Sequence, residues 1–380
     1  WRYSLTFESR FQDQAARNEP GCRIEKPENT KRKIFQMKIG VLPGDDIGYE
    51  VVPETVKVLS AAASCTGLEI EWVTLPIGKE GHEKHGDTTP PVTLEALKKT
   101  DGWIMGPIGH SAYPRNDPTW IMPPIRKIFD LFASVKPVKS YENIPSVHKG
   151  VDIVFLREVT EGMQSWDTTV AGTGEFRPND DISIGSRVIT RKGSHRVALE
   201  AFKIADTRQM KKVSAAHKEG VYRLTCGMFA EECRKVAADF PNVEFEEINI
   251  DTIAAELVMH PDRFDVVVST NQFGDILTDL GAGLVGGLGL APGLCVGENQ
   301  AMSQATHGSA PDIAGKNIAD PYAMVMSGQM LLEWLGRKHN DPKASKAAVL
   351  IDAAVEKVIA DAKALTGDLG GTASTQEMGE

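Results

Sequence analysis

From residue 37 onward, short apolar runs alternate with longer amphipathic stretches, the pattern of an α/β fold whose sheets are covered by helices. Residues 38–42 (KIGVL) predict a buried strand running into the turn-rich PGDDIG segment, 43–48, with a helix near 49–64 behind it. Residues 103–106 (WIMG) predict a second strand that ends in the small-residue stretch GPIGH. Two further β-rich runs, 151–158 (VDIVFLRE) and 264–271 (FDVVVSTN), each end in polar residues. Such strand ends are where open α/β sheets place their sites. Residues 174–192 predict a pair of sheet or arm strands, and helices are expected near 193–206 and 226–239. The glycine-rich passage 281–294 reads as a crossing between lobes, and 321–365 as one Ala-rich helical stretch.

Composition narrows the partners. With 380 residues, 41% hydrophobic and 25% charged, the chain has material for one large core or two smaller ones. A net charge of -10 repels phosphate backbones and anionic lipid, so neither nucleic acid nor a membrane surface is an expected partner. No apolar run approaches the ~18 residues that would span a bilayer. Five widely spaced cysteines with no C-x-x-C pair fit neither a disulfide framework nor a zinc knuckle, and as free thiols they point to the cytoplasm. Residues 1–36 are polar and lack an apolar stretch. They contain too many acids for a transit peptide, and are expected to be a flexible extension outside the fold, an expression scar or a mis-set start.

The sharpest local signal is NQFGDILTD, 271–279. Asp275 and Asp279 stand four apart on the first turns of an expected helix, which aims both carboxylates from one face. Hard cations such as Mg²⁺ and Mn²⁺ take such oxygens, while the same spacing also suits an acidic pair at a helix N-terminus. Asp251, closing EFEEINID, is either a third ligand or the N-cap of a helix. The run HGSAPDIAGKNIADP, 307–321, cannot be a regular helix or strand. It is either a surface loop or one whose amides wrap a nucleotide, with Asp312 placed for ribose hydroxyls. Among the cations, Arg115, Arg126, Lys136, Arg157 and Lys218 are solvated surface charges or a cluster that holds a dicarboxylic acid.

Taken in order, PGDDIG, the Arg126 to Lys136 segment, LREVTEG, His217-Lys218, NQFGDILTD and HGSAPDIAGK resemble the decarboxylating 3-hydroxy-acid dehydrogenases. The family includes isopropylmalate, isocitrate, homoisocitrate, tartrate and D-malate dehydrogenases, and the resemblance is nearer to the isopropylmalate, tartrate and D-malate type than to isocitrate. It implies a two-lobed, non-Rossmann α/β fold, with a cofactor lobe of 37–131 plus 286–380 and a dimerisation lobe of 132–285. It further implies a homodimer with shared sites, in which Lys218 and Asp251 of one copy meet Asp275 and Asp279 of the other. Arg126, Lys136 and Arg157 would hold the substrate carboxylates. Asp251, Asp275 and Asp279 would hold Mg²⁺ or Mn²⁺, and Lys218, through water, would take the hydroxyl proton. His307, Gly308, Ser309, Ala310, Pro311, Asp312 and Ile313 would grip the adenosine end of NAD, the Asp312-Ile313 pair resembling the NAD-using rather than the NADP-using members.

The resemblance also exposes departures. Seven residues after Arg157 the family carries a Tyr that protonates the enol, and here that position is Gln164. Lys136 replaces an Arg, Gly220 an Asn, and Asp320 the Asn of the adenine contact. Water or Tyr222 would then supply the proton; otherwise the reaction stops at oxidation, or the chain is a weak or regulatory homologue. Trp120, Ile121, Met122 and Pro123, just before Arg126, suit an apolar or small C3 substituent better than a third carboxylate, unless they only pack the helix start.

Overall fold

The computed structural model of the chain describes residues 36–380 except 115, 116, 123 and 166–173. Arg115, Pro123 and the 1–35 segment therefore lie outside the described residues.

A ten-stranded sheet organises the fold, with helices on both faces. Its order is β2 (Ile70–Thr74), β1 (Met37–Leu42), β3 (Gly102–Met105), β12 (Ala301–Ser303), β11 (Leu294–Val296), β4 (Ala133–Lys139), β5 (Asp152–Glu158), β10 (Val266–Ser269), β8 (Lys212–His217), β9 (Glu244–Asn249). Every residue of β3, β10, β11 and β12 is buried, as expected of strands covered on both sides. The pairings are parallel except in the middle, where β11 runs antiparallel to both β12 and β4, and β4 antiparallel to β5. Strands on the β1 side and the β10 side thus run in opposite directions, and clefts form at such a switch. Residues 174–192 supply the separate hairpin β6 (Glu175–Asn179) and β7 (Ile182–Gly185), whose residues are all exposed. The fold class read from the pattern is the one observed.

Two differences have local causes. The 321–365 stretch is two helices, Tyr322–His339 and Pro342–Asp361. Asn340 ends the first in a left-handed conformation (φ 51°), Asp341 caps the second through the Lys343 N–H, and Pro342 occupies its first turn. The 281–294 passage remains helical to Val285 before Gly286 and Gly287 turn the chain at φ 132° and 124° into β11.

One packing contact fixes the site. The helix Asn271–Val285 follows β10 and lies against β5 through its glycines. A Cβ added at Gly274 would come 2.8 Å from Arg157 Cβ, and one at Gly281 would come 2.5 Å from the Phe155 ring. This close approach sets Asp275, one residue past Gly274, beside the Arg157 guanidinium.

Candidate active site

Arg157 is the centre of the constellation. Its Nε and Nη2 donate to Asn271 Oδ1 at 2.9 and 2.6 Å, and its Nη1 pairs with Asp275. Gln164 bridges the same two groups, accepting from Arg157 Nη2 at 3.3 Å and donating from Nε2 to Asp275 Oδ2 at 3.1 Å. Lys136, on β4 next to β5, donates to Thr278 Oγ1 at 3.3 Å, one residue before Asp279. Arg126 donates to Gln304 Oε1 at 3.2 Å across the chain.

These charges feel one another. Burial, and then the Arg157 and Arg126 charges, push Lys136 down to about 8. Burial and Arg126 likewise push Arg157 down to about 10. Asp279 is shifted upward, by burial first and also by Asp275, so this pair of carboxylates favours any further positive charge placed between them.

Lys218 and Asp251 form a second group. They follow β8 and β9 and make an ion pair that holds the Asp251 carboxyl below its ordinary range. Asp251 is not the N-cap: that position belongs to Asn249, and Asp251 lies in the first turn of the helix Ile250–Met259. Among the described residues, no hydrogen bond or ion pair joins this group to Asp275 or Asp279, so one chain does not gather the three expected metal acids. The three-ligand cluster that does occur, His217, Glu219 and Glu247, is already served by Arg234, which pairs with Glu247 at 2.6 Å and with Glu219 at 2.6 Å. His217 Nδ1 there accepts the Glu219 N–H, which leaves its Nε2 protonated and unsuited to a cation.

The 307–315 loop is pinned from below. Ser309 C=O accepts the Ile47 N–H at 3.1 Å and Glu50 accepts the Gly315 N–H at 2.6 Å, while Ala310 takes a left-handed φ of 42°. Gly308, Pro311 and Asp312 face solvent, Ser309 is buried, and Ile313 packs on the core. His307 bonds the Gly308 carbonyl, and its Nε2 has no partner among the described residues. Asp320, expected at the adenine contact, is enclosed by the fold. It is 7% exposed, with Oδ1 accepting the Tyr322 N–H and Oδ2 unpartnered, and burial pushes its pKa well up, towards the neutral acid.

A cavity of about 320 Å³ opens beside Arg126. Met122 lines it with Met105 and Met302, as do Gln164, Gln304 and His110. Trp120 instead stacks on His82 at 3.9 Å, Ile121 is exposed, and Tyr222 lies over Arg187. None of these three lines the cavity. His110 and Gln304 escape the sequence reading because neither sits in a periodic or paired pattern. The one signal for His110 is its place at the end of the β3 strand and the GPIGH stretch.

Comparison with known proteins then decides the family. The family described as isocitrate/isopropylmalate dehydrogenase matches residues 38–380. The chain belongs to the isocitrate/isopropylmalate dehydrogenase family. This isocitrate/isopropylmalate dehydrogenase-family chain is 41% identical over 341 residues to a 3-isopropylmalate dehydrogenase of Archaeoglobus fulgidus, covering 90% of this chain and 97% of that one. It is 39% identical over 350 residues to an isocitrate/homoisocitrate dehydrogenase of Thermus thermophilus, covering 90% and 96%. The crystal structure of an isocitrate dehydrogenase from Methylococcus capsulatus superposes with a TM-score of 0.80 at 37% identity, covering 90% and 97%. As a member of the isocitrate/isopropylmalate dehydrogenase family, the chain is an oxidoreductase of the hydroxy-acid dehydrogenase type. Among the described residues no helix is long and apolar enough to cross a membrane.

Proposed function

We propose that the protein oxidises and decarboxylates a malate with a small or apolar C3 substituent, such as 3-isopropylmalate or D-malate, using NAD and Mg²⁺ or Mn²⁺. The observation that carries this reading is the meeting of Arg126, Lys136 and Arg157 with Asp275 and Asp279 at the switch of the sheet. Three cations suit the two carboxylates of the substrate, and two hard oxygen donors that repel each other suit a divalent cation. The names of both relatives, one an isopropylmalate and one an isocitrate/homoisocitrate enzyme, support a substituted malate.

The groups NAD and metal would supply hydride acceptance and Lewis-acid polarisation of the hydroxyl and carboxylate. The 307–313 loop, with its unpartnered His307 Nε2 and open Asp312, fits the adenosine end of NAD. Arg126, Lys136 and Arg157 orient the acid, and Lys218 holds the proton-accepting position next to Asp251. Because Lys218 and Asp251 stand apart from Asp275 and Asp279, the working unit is a homodimer with shared sites. Residues 37–131 with 286–380 then form one lobe and 132–285 the other. The free thiols of Cys65, Cys226, Cys233 and Cys295 support a cytoplasmic setting.

The test is an assay with NAD and Mn²⁺ over D-malate, 3-alkylmalates, tartrate and isocitrate, following reduced cofactor and CO₂ together. Equal yields from one 3-alkylmalate or from D-malate are expected. Reduced cofactor without CO₂ would favour the second reading, oxidation alone, which Gln164 supports because an amide cannot act as a general acid at neutral pH. Silence across the panel would leave a regulatory homologue.

Lys136 adds a pH signature. Its ammonium is present below about 8 and lost above, and a bound carboxylate favours the charged form. KM is therefore expected to rise about tenfold between about pH 7 and about pH 9, and Lys136→Arg to flatten the rise. A flat KM in the unsubstituted protein would remove Lys136 from the substrate site.

A further inference from the structure

Loss of CO₂ from a 2-oxo acid leaves an enolate that needs a proton at C3, and the side chains around the cavity beside Arg126 bear on where that proton comes from. Gln164 cannot give one. Its amide does not ionise, and both its ends are engaged, by Arg157 and by Asp275. Of the other polar side chains described on the cavity wall, Thr160 and Ser165 carry hydroxyls, Gln304 carries an amide, and Arg126 and Lys127 carry positive charges suited to a carboxylate. The remaining side chain that exchanges a proton near neutral pH is His110.

The backbone around His110 is firmly placed. The Gly109 N–H before it and the Tyr113 hydroxyl after it both donate to Oδ2 of the buried Asp45, at 2.7 and 2.5 Å. The Tyr113 ring packs edge-on to the imidazole at 5.8 Å. Among the described residues neither ring nitrogen of His110 has a hydrogen-bond partner, so the ring is open to whatever enters the cavity.

We propose that His110 is the acid that protonates C3 after decarboxylation, in the role that Gln164 cannot fill. This rests on the decarboxylase reading above. The C3–carboxylate bond breaks with its electron pair entering the C2–C3 double bond of the enolate. As the C2 carbonyl re-forms, that pair takes a proton from an imidazolium N–H, and the neutral imidazole regains its proton from water. The charged groups facing His110 are Asp45, which favours the imidazolium, and Arg126, which opposes it together with the partial loss of water around the ring. In the free protein the balance lies below the ordinary imidazole value. A dianionic acid bound on Arg126 offsets that repulsion, so the ring gains its proton as substrate arrives.

The test uses the protein with NAD, Mn²⁺ and whichever acid of the panel is turned over, comparing the unsubstituted chain with His110→Asn, Gln164→Tyr and the double variant. His110→Asn is expected to retain the first turnover of reduced NAD, and to lose about 100-fold in steady-state kcat. It should also lose the decline of kcat with rising pH. Gln164→Tyr should restore at least about tenfold of that loss in the double variant. A readout independent of turnover is the imidazole NMR titration of the unsubstituted protein, in which adding D-malate should move the His110 resonance towards its protonated form. His110→Asn with undiminished kcat, or a first turnover that falls as far as the steady state, overturns the assignment, as does a His110 resonance indifferent to D-malate or a failure of Gln164→Tyr to rescue. An unsubstituted protein silent with every acid overturns the decarboxylase reading and this one together, whereas an active protein indifferent to His110 overturns this one alone.

Discussion

Asp279→Asn is expected to lower turnover by about 1,000-fold or more while leaving the metal-free protein as stable as before, or slightly more so. The loss follows from the proposed role: Lewis-acid stabilisation is worth several kcal/mol, and about 4 kcal/mol corresponds to a thousandfold in rate. The stability follows from the direction of the shift at this carboxyl. Its pKa in the fold is raised by burial and by Asp275, so the folded protein binds a proton that the unfolded chain has released. Stability then falls as pH rises through that window, and an uncharged amide avoids the fall. Turnover with saturating Mn²⁺ and thermal unfolding at neutral pH without metal measure the two effects separately. A variant that unfolds several degrees earlier would assign Asp279 to the architecture rather than to the chemistry.

The second large effect belongs to Arg157→Met, expected to cost about 3 kcal/mol of folding stability as well as activity. Arg157 is buried, and its removal strips Asn271 Oδ1 of two donors and Asp275 of its charged partner, leaving it the Gln164 amide. The figure is at the lower end for a broken buried pair because Asp275 is 36% exposed and water can replace part of the loss. Arg157→Lys should fall between, keeping the charge but not the fork that reaches Asn271 and Asp275 at once. Urea unfolding checks the ranking. Equal stability of Met and Lys variants would mean that the hydrogen-bond geometry of the fork, not the charge, holds the helix to β5.

How much of this was legible from the chain depends on whether the signal is local. Asp275 and Asp279 are readable because a helical period turns a spacing of four into one face, and the strand feeding that helix is an unbroken apolar run. The break at Asn340 is written in a local Asn-Asp-Pro run, yet it is easily passed over in an Ala-rich stretch. β11 and β12 are three residues each, too short to show a period. The burial of Asp320 has no sequence signature, since it arises from chain segments far apart: a Cβ on Gly289 would meet both Asp320 and Asp368. His110 is hidden for the same reason. A single His after a small-residue stretch becomes informative only once Arg126 and Gln164 are found on the same wall. Tyr222 illustrates the reverse case, a side chain with suitable chemistry that the fold lays across Arg187 and near Phe273, 6.5 Å ring to ring.

Among the described residues the open sheet has two ends, and the outermost strand on one of them, β9, reads EFEEIN. An unpaired strand edge is a template onto which a second copy can hydrogen-bond, and three glutamates in six residues make that edge repel its own kind. Their partners Lys212, Arg234 and Arg263 lie on the protein's own side, so each is tied inward rather than offered to a neighbour. The guard against runaway strand-to-strand assembly is thus electrostatic, and it weakens in acid, where those carboxylates gain protons while the edge itself remains exposed.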